Sequence, residues 1–126
     1  MKYAKSFKDL EVYQLAREVA REIFDLSKNF PPEEKYSLSD QMRRSSRSIG
    51  AQIAEAWGKR RYENHFTLKL TDADSEQFET QHWLEVAFEI GYIDKSTKNV
   101  LTNKCESIGK MLNSMMDKAS LFCQKR

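Results

Sequence analysis

Histidine, cysteine and proline each occur only twice in this 126-residue chain, and glycine only four times. These scarcities narrow the chemistry. Cys105 and Cys123 form neither a disulfide framework nor a metal-ligand spacing, which fits a reduced intracellular interior. No glycine-rich phosphate loop is present. No apolar run approaches the roughly 20 residues needed to cross a bilayer. The first residues, MKYAKSFKDLE, lack an apolar secretory core. A soluble, cytoplasmic protein without membrane attachment is expected. The net charge of +2 is too small to demand a polyanionic partner.

Charge is plentiful but unevenly placed. Arg43 to Arg61 holds six basic residues against Glu55 alone, a net of +5. Glu63 to Glu89 holds seven acids against Lys69 alone, a net of −6. Segments of opposite sign can pair within one chain or between subunits, so nucleic acid is not the only explanation. The basic segment is also rich in Ser, Gly and Ala, with Ile49, Ile53 and Trp57 at every fourth position. Small side chains there allow another backbone to approach closely.

Helical periodicity accounts for the rest of the chain, read as one domain over 1–126. Leu10, Tyr13, Ala16, Ala20, Ile23, Phe24 and Ser27 predict a helix over Asp9 to Asn29. Pro31 and Pro32 end it, because proline donates no backbone hydrogen bond and disfavours a helical Phe30. A second helix is expected from Ser37 or Ser39, as cap, to Trp57 or Lys59. Gly50 inside it suggests close packing or a kink. A third helix spans Tyr62 to Ile90, its seam running from Phe66 through Gln77 and Thr80 to Ala87 and Gly91, with a turn at Gly91-Tyr92. Phe78, Trp83 and Phe88 lie outside that seam, as part of a broad core face or as a second interface. A fourth helix spans Lys98 to Phe122. The expected fold is all-α, an antiparallel up-down-up-down four-helix bundle. Ile49, Ile53, Leu84, Leu112 and Met115 are the expected core.

Catalysis finds little support in these residues. Glu79-Thr80-Gln81-His82 places two potential ligands on adjacent turns. A dinuclear carboxylate bundle needs that unit twice, and His65 has Tyr62 three residues before it. Glu18 and Glu55 could offer carboxylates but not the missing histidine. Asp72, Asp74, Glu76 and Glu79 cluster on one helix without a companion nucleophile set. The serines of Ser45-Ser46-Arg47-Ser48 have no base beside them. No enzyme activity, metal or cofactor is expected.

The motifs Phe7-Lys8-Asp9-Leu10-Glu11-Val12-Tyr13, Phe30-Pro31-Pro32-Glu33-Glu34-Lys35-Tyr36 and Gln41-Met42-Arg43-Arg44-Ser45-Ser46-Arg47-Ser48-Ile49 carry a family resemblance. Gln52-Ile53-Ala54-Glu55-Ala56, Glu79-Thr80-Gln81, Ile90-Gly91-Tyr92 and Met111-Leu112 extend it over nearly the whole chain. They resemble the bacterial four-helix bundle proteins associated with intervening sequences of 23S ribosomal RNA genes, sometimes labelled S23 ribosomal protein. The sequence departs from that pattern in four places. Gly50 stands at a usual proline, Ala56 at a usual glycine, Asp74 at a common glycine and Gln77 at a common acid. The resemblance implies a cytosolic helical bundle in a ring-like homopentamer. A distant relative, the accessory protein of diversity-generating retroelements, is similar in bundle form and works with reverse transcriptase and nucleic acid.

Two functions follow as expectations. The first is a non-enzymatic oligomeric scaffold whose partner is itself, or an unidentified protein. Arg43, Arg47, Glu55, Asp74 and Glu79 are its candidate interface or internal ion-pair residues. Arg43 and Arg47 would support assembly if they pair with helix three, and Glu55 and Glu79 are candidates to pair with helix-two arginines inside the bundle. The second is an RNA- or DNA-binding module in which Arg43, Arg44, Arg47, Lys59, Arg60 and Arg61 contact phosphates.

Overall fold

A computed structural model describes residues 4–123, which form helices and no strand. Four helices are long: α1 (Glu11–Ser27), α2 (Leu38–Gly58), α3 (Glu63–Glu89) and α4 (Lys95–Asp117). A single-turn α5 (Ala119–Phe122) follows. Each end has a local cause. Ser6 and Asp9 form a capping box round a 3-10 turn at Phe7–Asp9, and the extended Leu10 separates that turn from α1. This shortens the expected Asp9 start. Pro32–Glu34 form a second 3-10 turn after the proline stop. Gly91, at φ +84°, ends α3 in a Schellman motif. The Tyr92 N–H donates to Ala87 O at 2.9 Å and the Gly91 N–H to Phe88 O at 3.0 Å. The Asp94 carboxylate accepts from the Thr97 N–H at 2.7 Å, so α4 starts a turn before the expected Lys98. Its other end falls short of the expected Phe122, breaking at Lys118, and Phe122 stacks on Phe66 at 5.9 Å.

Side-chain contacts tie the helices together in sequence. Arg43, early in α2, reaches Ser27 at the end of α1. Arg44 reaches Glu79 late in α3, whereas Glu55, late in α2, reaches Lys69 early in α3. Lys98, early in α4, meets Glu85 late in α3. Lys104 of α4 clamps Glu18 and Glu22 of α1 at 2.8 and 2.7 Å. Each long helix therefore touches its two neighbours around one shared core.

That core follows the three-four seams. Ile49, Ile53, Leu84 and Leu112 are wholly buried, and Met115 is 8% exposed. Burying each such side chain contributes about 1.5–3 kcal/mol. The α3 seam from Phe66 to Ala87 is buried throughout, including its polar centre at Gln77 and Thr80. Those two groups have partners. Gln77 donates to Asp74 at 2.9 Å and accepts from Gln81 at 2.7 Å. The Thr80 hydroxyl donates to Glu76 O at 2.9 Å and lies 3.1 Å from the Ser45 hydroxyl. Gly109 of α4 gives this polar layer its room, since a Cβ there would stand 2.9 Å from Gln77 Nε2. Among the described residues, no helix is long and apolar enough to cross a membrane.

Candidate functional site

One residue along a helix turns a side chain by about 100°, and this decides which arginine of α2 meets α3. Arg44 points there. Its Nη2 donates to Glu79 Oε2 at 2.6 Å and lies 3.6 Å from Glu76 Oε1. The Trp83 indole N–H donates to the same Glu79 oxygen at 2.9 Å. The indole and the guanidinium hold Glu79 below its ordinary pKa, and Glu79 in turn raises that of Arg44. Burial pushes Glu76 the other way, above its ordinary value.

Within the chain, Arg43 and Arg47 do not meet α3. Both face α1. The Arg43 Nε–H donates to Ser27 Oγ at 2.8 Å, and its guanidinium carbon sits 4.9 Å from the Phe24 ring centre. Arg47 sits 5.5 Å from the same ring, and Lys28 Nζ 4.6 Å from it. Three cations thus surround one aromatic face, an arrangement the ring quadrupole favours. The other acids also differ from expectation. Glu55 is exposed and pairs with Lys69 at 3.2 Å rather than with an α2 arginine. Asp74 accepts from Gln77 inside α3. Glu79 does meet an α2 arginine, with its side chain still 34% exposed.

The six basic candidates separate into two groups. Arg43, Arg44 and Arg47 lie near the start of α2, and Lys59, Arg60 and Arg61 follow its end, about 24 Å further along at 1.5 Å per residue. In the second group Arg60 folds back over Trp57, 3.6 Å from the ring centre, and its Nε–H donates to Trp57 O at 2.8 Å. Arg61 lies 5.8 Å from the Tyr62 ring. The first group belongs to a larger surface. Arg17 and Arg21 of α1 join Arg47 around a cleft of about 430 Å³ between α1 and α2, floored by Ala20, Phe24 and Gly50. Arg47 also borders a neighbouring hollow with Lys35, Arg43, Arg44 and the 84%-exposed Tyr36. Among the described residues, Arg17, Arg21, Arg43 and Arg47 form no ion pair with an acid. Arg17, Arg21, Phe24 and Lys28 recur at steps of four, three and four, which is the sequence signal for their shared face.

The histidines are engaged with aromatic rings. His65 lies edge-on to Tyr62 at 5.3 Å and His82 to Trp83 at 4.7 Å. Glu79, the carboxylate of the Glu-x-x-His unit, is already bound by Arg44 and Trp83. Cys105 is buried, and desolvation lifts its thiol pKa to about 12.

Comparison with known proteins adds two positive findings. No curated protein matches the chain. The chain is similar to the crystal structure of a protein with unknown function from the S23 ribosomal protein family of Bacteroides thetaiotaomicron. The two are 34% identical, the match covers 84% of this chain and 95% of that one, and the TM-score is 0.76. The family model for 23S rRNA-intervening sequence proteins matches residues 8–114. With most of its length matched, the chain belongs to the 23S rRNA-intervening sequence protein family.

Proposed function

We propose that the protein is an antiparallel, up-down-up-down four-helix bundle acting as a non-enzymatic, self-assembling scaffold. The end-to-start contacts between successive helices support the antiparallel arrangement. One observation carries self-assembly: α3 has two seams. Its inner seam is buried in the core, while Leu68, Thr71, Ser75, Phe78 and His82 repeat the three-four rhythm on the opposite side and are exposed. Leu68 and Phe78 expose 59% and 61% of their surface. An outward seam that carries two large exposed apolar side chains at helix-packing spacing fits a facing helix from a second copy. A contact of this seam with a different face of the next copy is head-to-tail, the kind that closes into rings. The family resemblance supplies the number five.

Replacing Phe78 and Leu68 with glutamate tests the seam. The double variant is expected to lose assembled mass by light scattering while keeping its helical circular dichroism. Unchanged mass would reject this seam as the interface.

The unpaired arginines of α1 and α2 favour a second reading, an RNA- or DNA-binding accessory module. Phosphate binding satisfies guanidinium groups that form no salt bridge among the described residues.

A further inference from the structure

The two basic hollows between α1 and α2 share Arg47 and have different chemistry, and together they suit a strand better than a single ion. The inner cleft sets Arg17, Arg21 and Arg47 around an apolar floor. Arg47 and Arg43 both lie over the ring of Phe24, which lines the cleft. The outer hollow adds Lys35 and Tyr36, whose ring is 84% exposed with the Lys35 ammonium 5.3 Å from its centre. Arg21 lies near Glu18, but that carboxylate is bound by Lys104. Asp25 and Asp40 line the same surface and reduce its charge without cancelling it. Basic side chains interleaved with an exposed aromatic ring are what a single strand needs: phosphates take the charges and an unstacked base takes the ring. A duplex keeps its bases stacked and offers Tyr36 nothing comparable.

From this we infer that the α1–α2 face is a track for single-stranded nucleic acid. Arg17, Arg21, Arg43 and Arg47 hold successive phosphates, and Tyr36 stacks on a base. The inference rests on the second reading above and places its site. The Lys59-Arg60-Arg61 run stands outside the track, because Arg60 is folded onto Trp57 at the far end of α2.

Fluorescence anisotropy with a labelled oligouridine, followed from about 50 to about 200 mM salt, tests the assignment on the full chain. Four phosphate contacts on a single strand give a slope near −2.8 in log K against log salt, roughly a 50-fold loss across that range. The triple variant Arg17→Gln, Arg21→Gln, Arg47→Gln is expected to flatten the slope to about −0.7, with circular dichroism unchanged. Tyr36→Ala is expected to weaken binding about 5- to 150-fold while leaving the slope alone. Binding that survives the triple variant but is lost on replacing Lys59, Arg60 and Arg61 with glutamine would overturn the track while leaving nucleic-acid binding intact. Absence of binding by the unaltered protein at low salt would overturn both. Polyglutamate displacing the strand as effectively as unlabelled oligouridine would show a surface for acidic protein, and would overturn the assignment to nucleic acid.

Discussion

Two helical glycines of this chain have opposite surroundings, and alanine distinguishes them. A Cβ at Gly50 would meet the Tyr13 ring at 3.5 Å and Arg17 Cδ at 3.7 Å, both ordinary contact distances. Gly50→Ala is therefore expected to stabilise the protein by up to about 1 kcal/mol, the helix-propensity difference. At Gly109 the same methyl would stand 2.9 Å from Gln77 Nε2 and 3.2 Å from Asp74 Oδ1. Gln77 would have to leave a buried hydrogen-bonded position, so Gly109→Ala is expected to destabilise by about 1–3 kcal/mol despite its better propensity. Urea midpoints of the two variants check the opposite signs. Cys105 offers a third residue-level test. A buried thiol held neutral, with its pKa lifted to about 12, is expected to resist iodoacetamide near pH 8 in the folded protein and to react once unfolded. Mass spectrometry of the alkylated chain reads both states.

The individual helices show which parts of the fold were readable and which were not. The expected core positions, Ile49 and Ile53 in α2, Leu84 in α3, and Leu112 and Met115 in α4, are readable because a three-four rhythm names the inward face without reference to any neighbour. Gln77 and Thr80 fit that rhythm although they are polar, and their hydrogen bonds make burial tolerable. The start of α4 was harder, since it depends on whether the Asp94 side chain turns back to cap the first turn. The choice among Arg43, Arg44 and Arg47 depended on helix rotation, where a single residue changes the partner. The α1 stripe of Arg17, Arg21, Phe24 and Lys28 is legible from spacing alone; its place beside Arg43 and Arg47 required the packing of α1 on α2.

The ion pairing between α2 and α3 carries its own pH dependence. Glu79 has a lowered pKa, so its contribution is present above the ordinary glutamate value and is lost as pH falls through the lowered one. Glu76, raised by burial, works against folding once it ionises, so the two acids partly offset each other. Arg44→Gln is expected to move the Glu79 pKa upward and to shrink the stability lost as pH falls below the ordinary glutamate value, seen in urea midpoints on acidification. At neutral pH the exposed pair is worth no more than about 1 kcal/mol, so this variant stays folded. Ile53→Ala, which empties a wholly buried position, is expected to cost about 2–5 kcal/mol.

At the scale of the whole molecule, the charge pattern divides into two uses. Part of it is satisfied inside the chain, where Arg44 meets Glu79, Lys69 meets Glu55 and Lys104 meets Glu18 and Glu22. The rest faces outward on α1 and α2, while the outer seam of α3 exposes Leu68 and Phe78. A surface so divided leaves charge and apolar area for a partner, and the proposed partner is a second copy of the chain. Light scattering coupled to size exclusion, run over a wide range of protein concentrations, tests it most directly. The expected result is a constant mass near five times the 14.8 kDa of one chain. A mass of one chain at every concentration would contradict it.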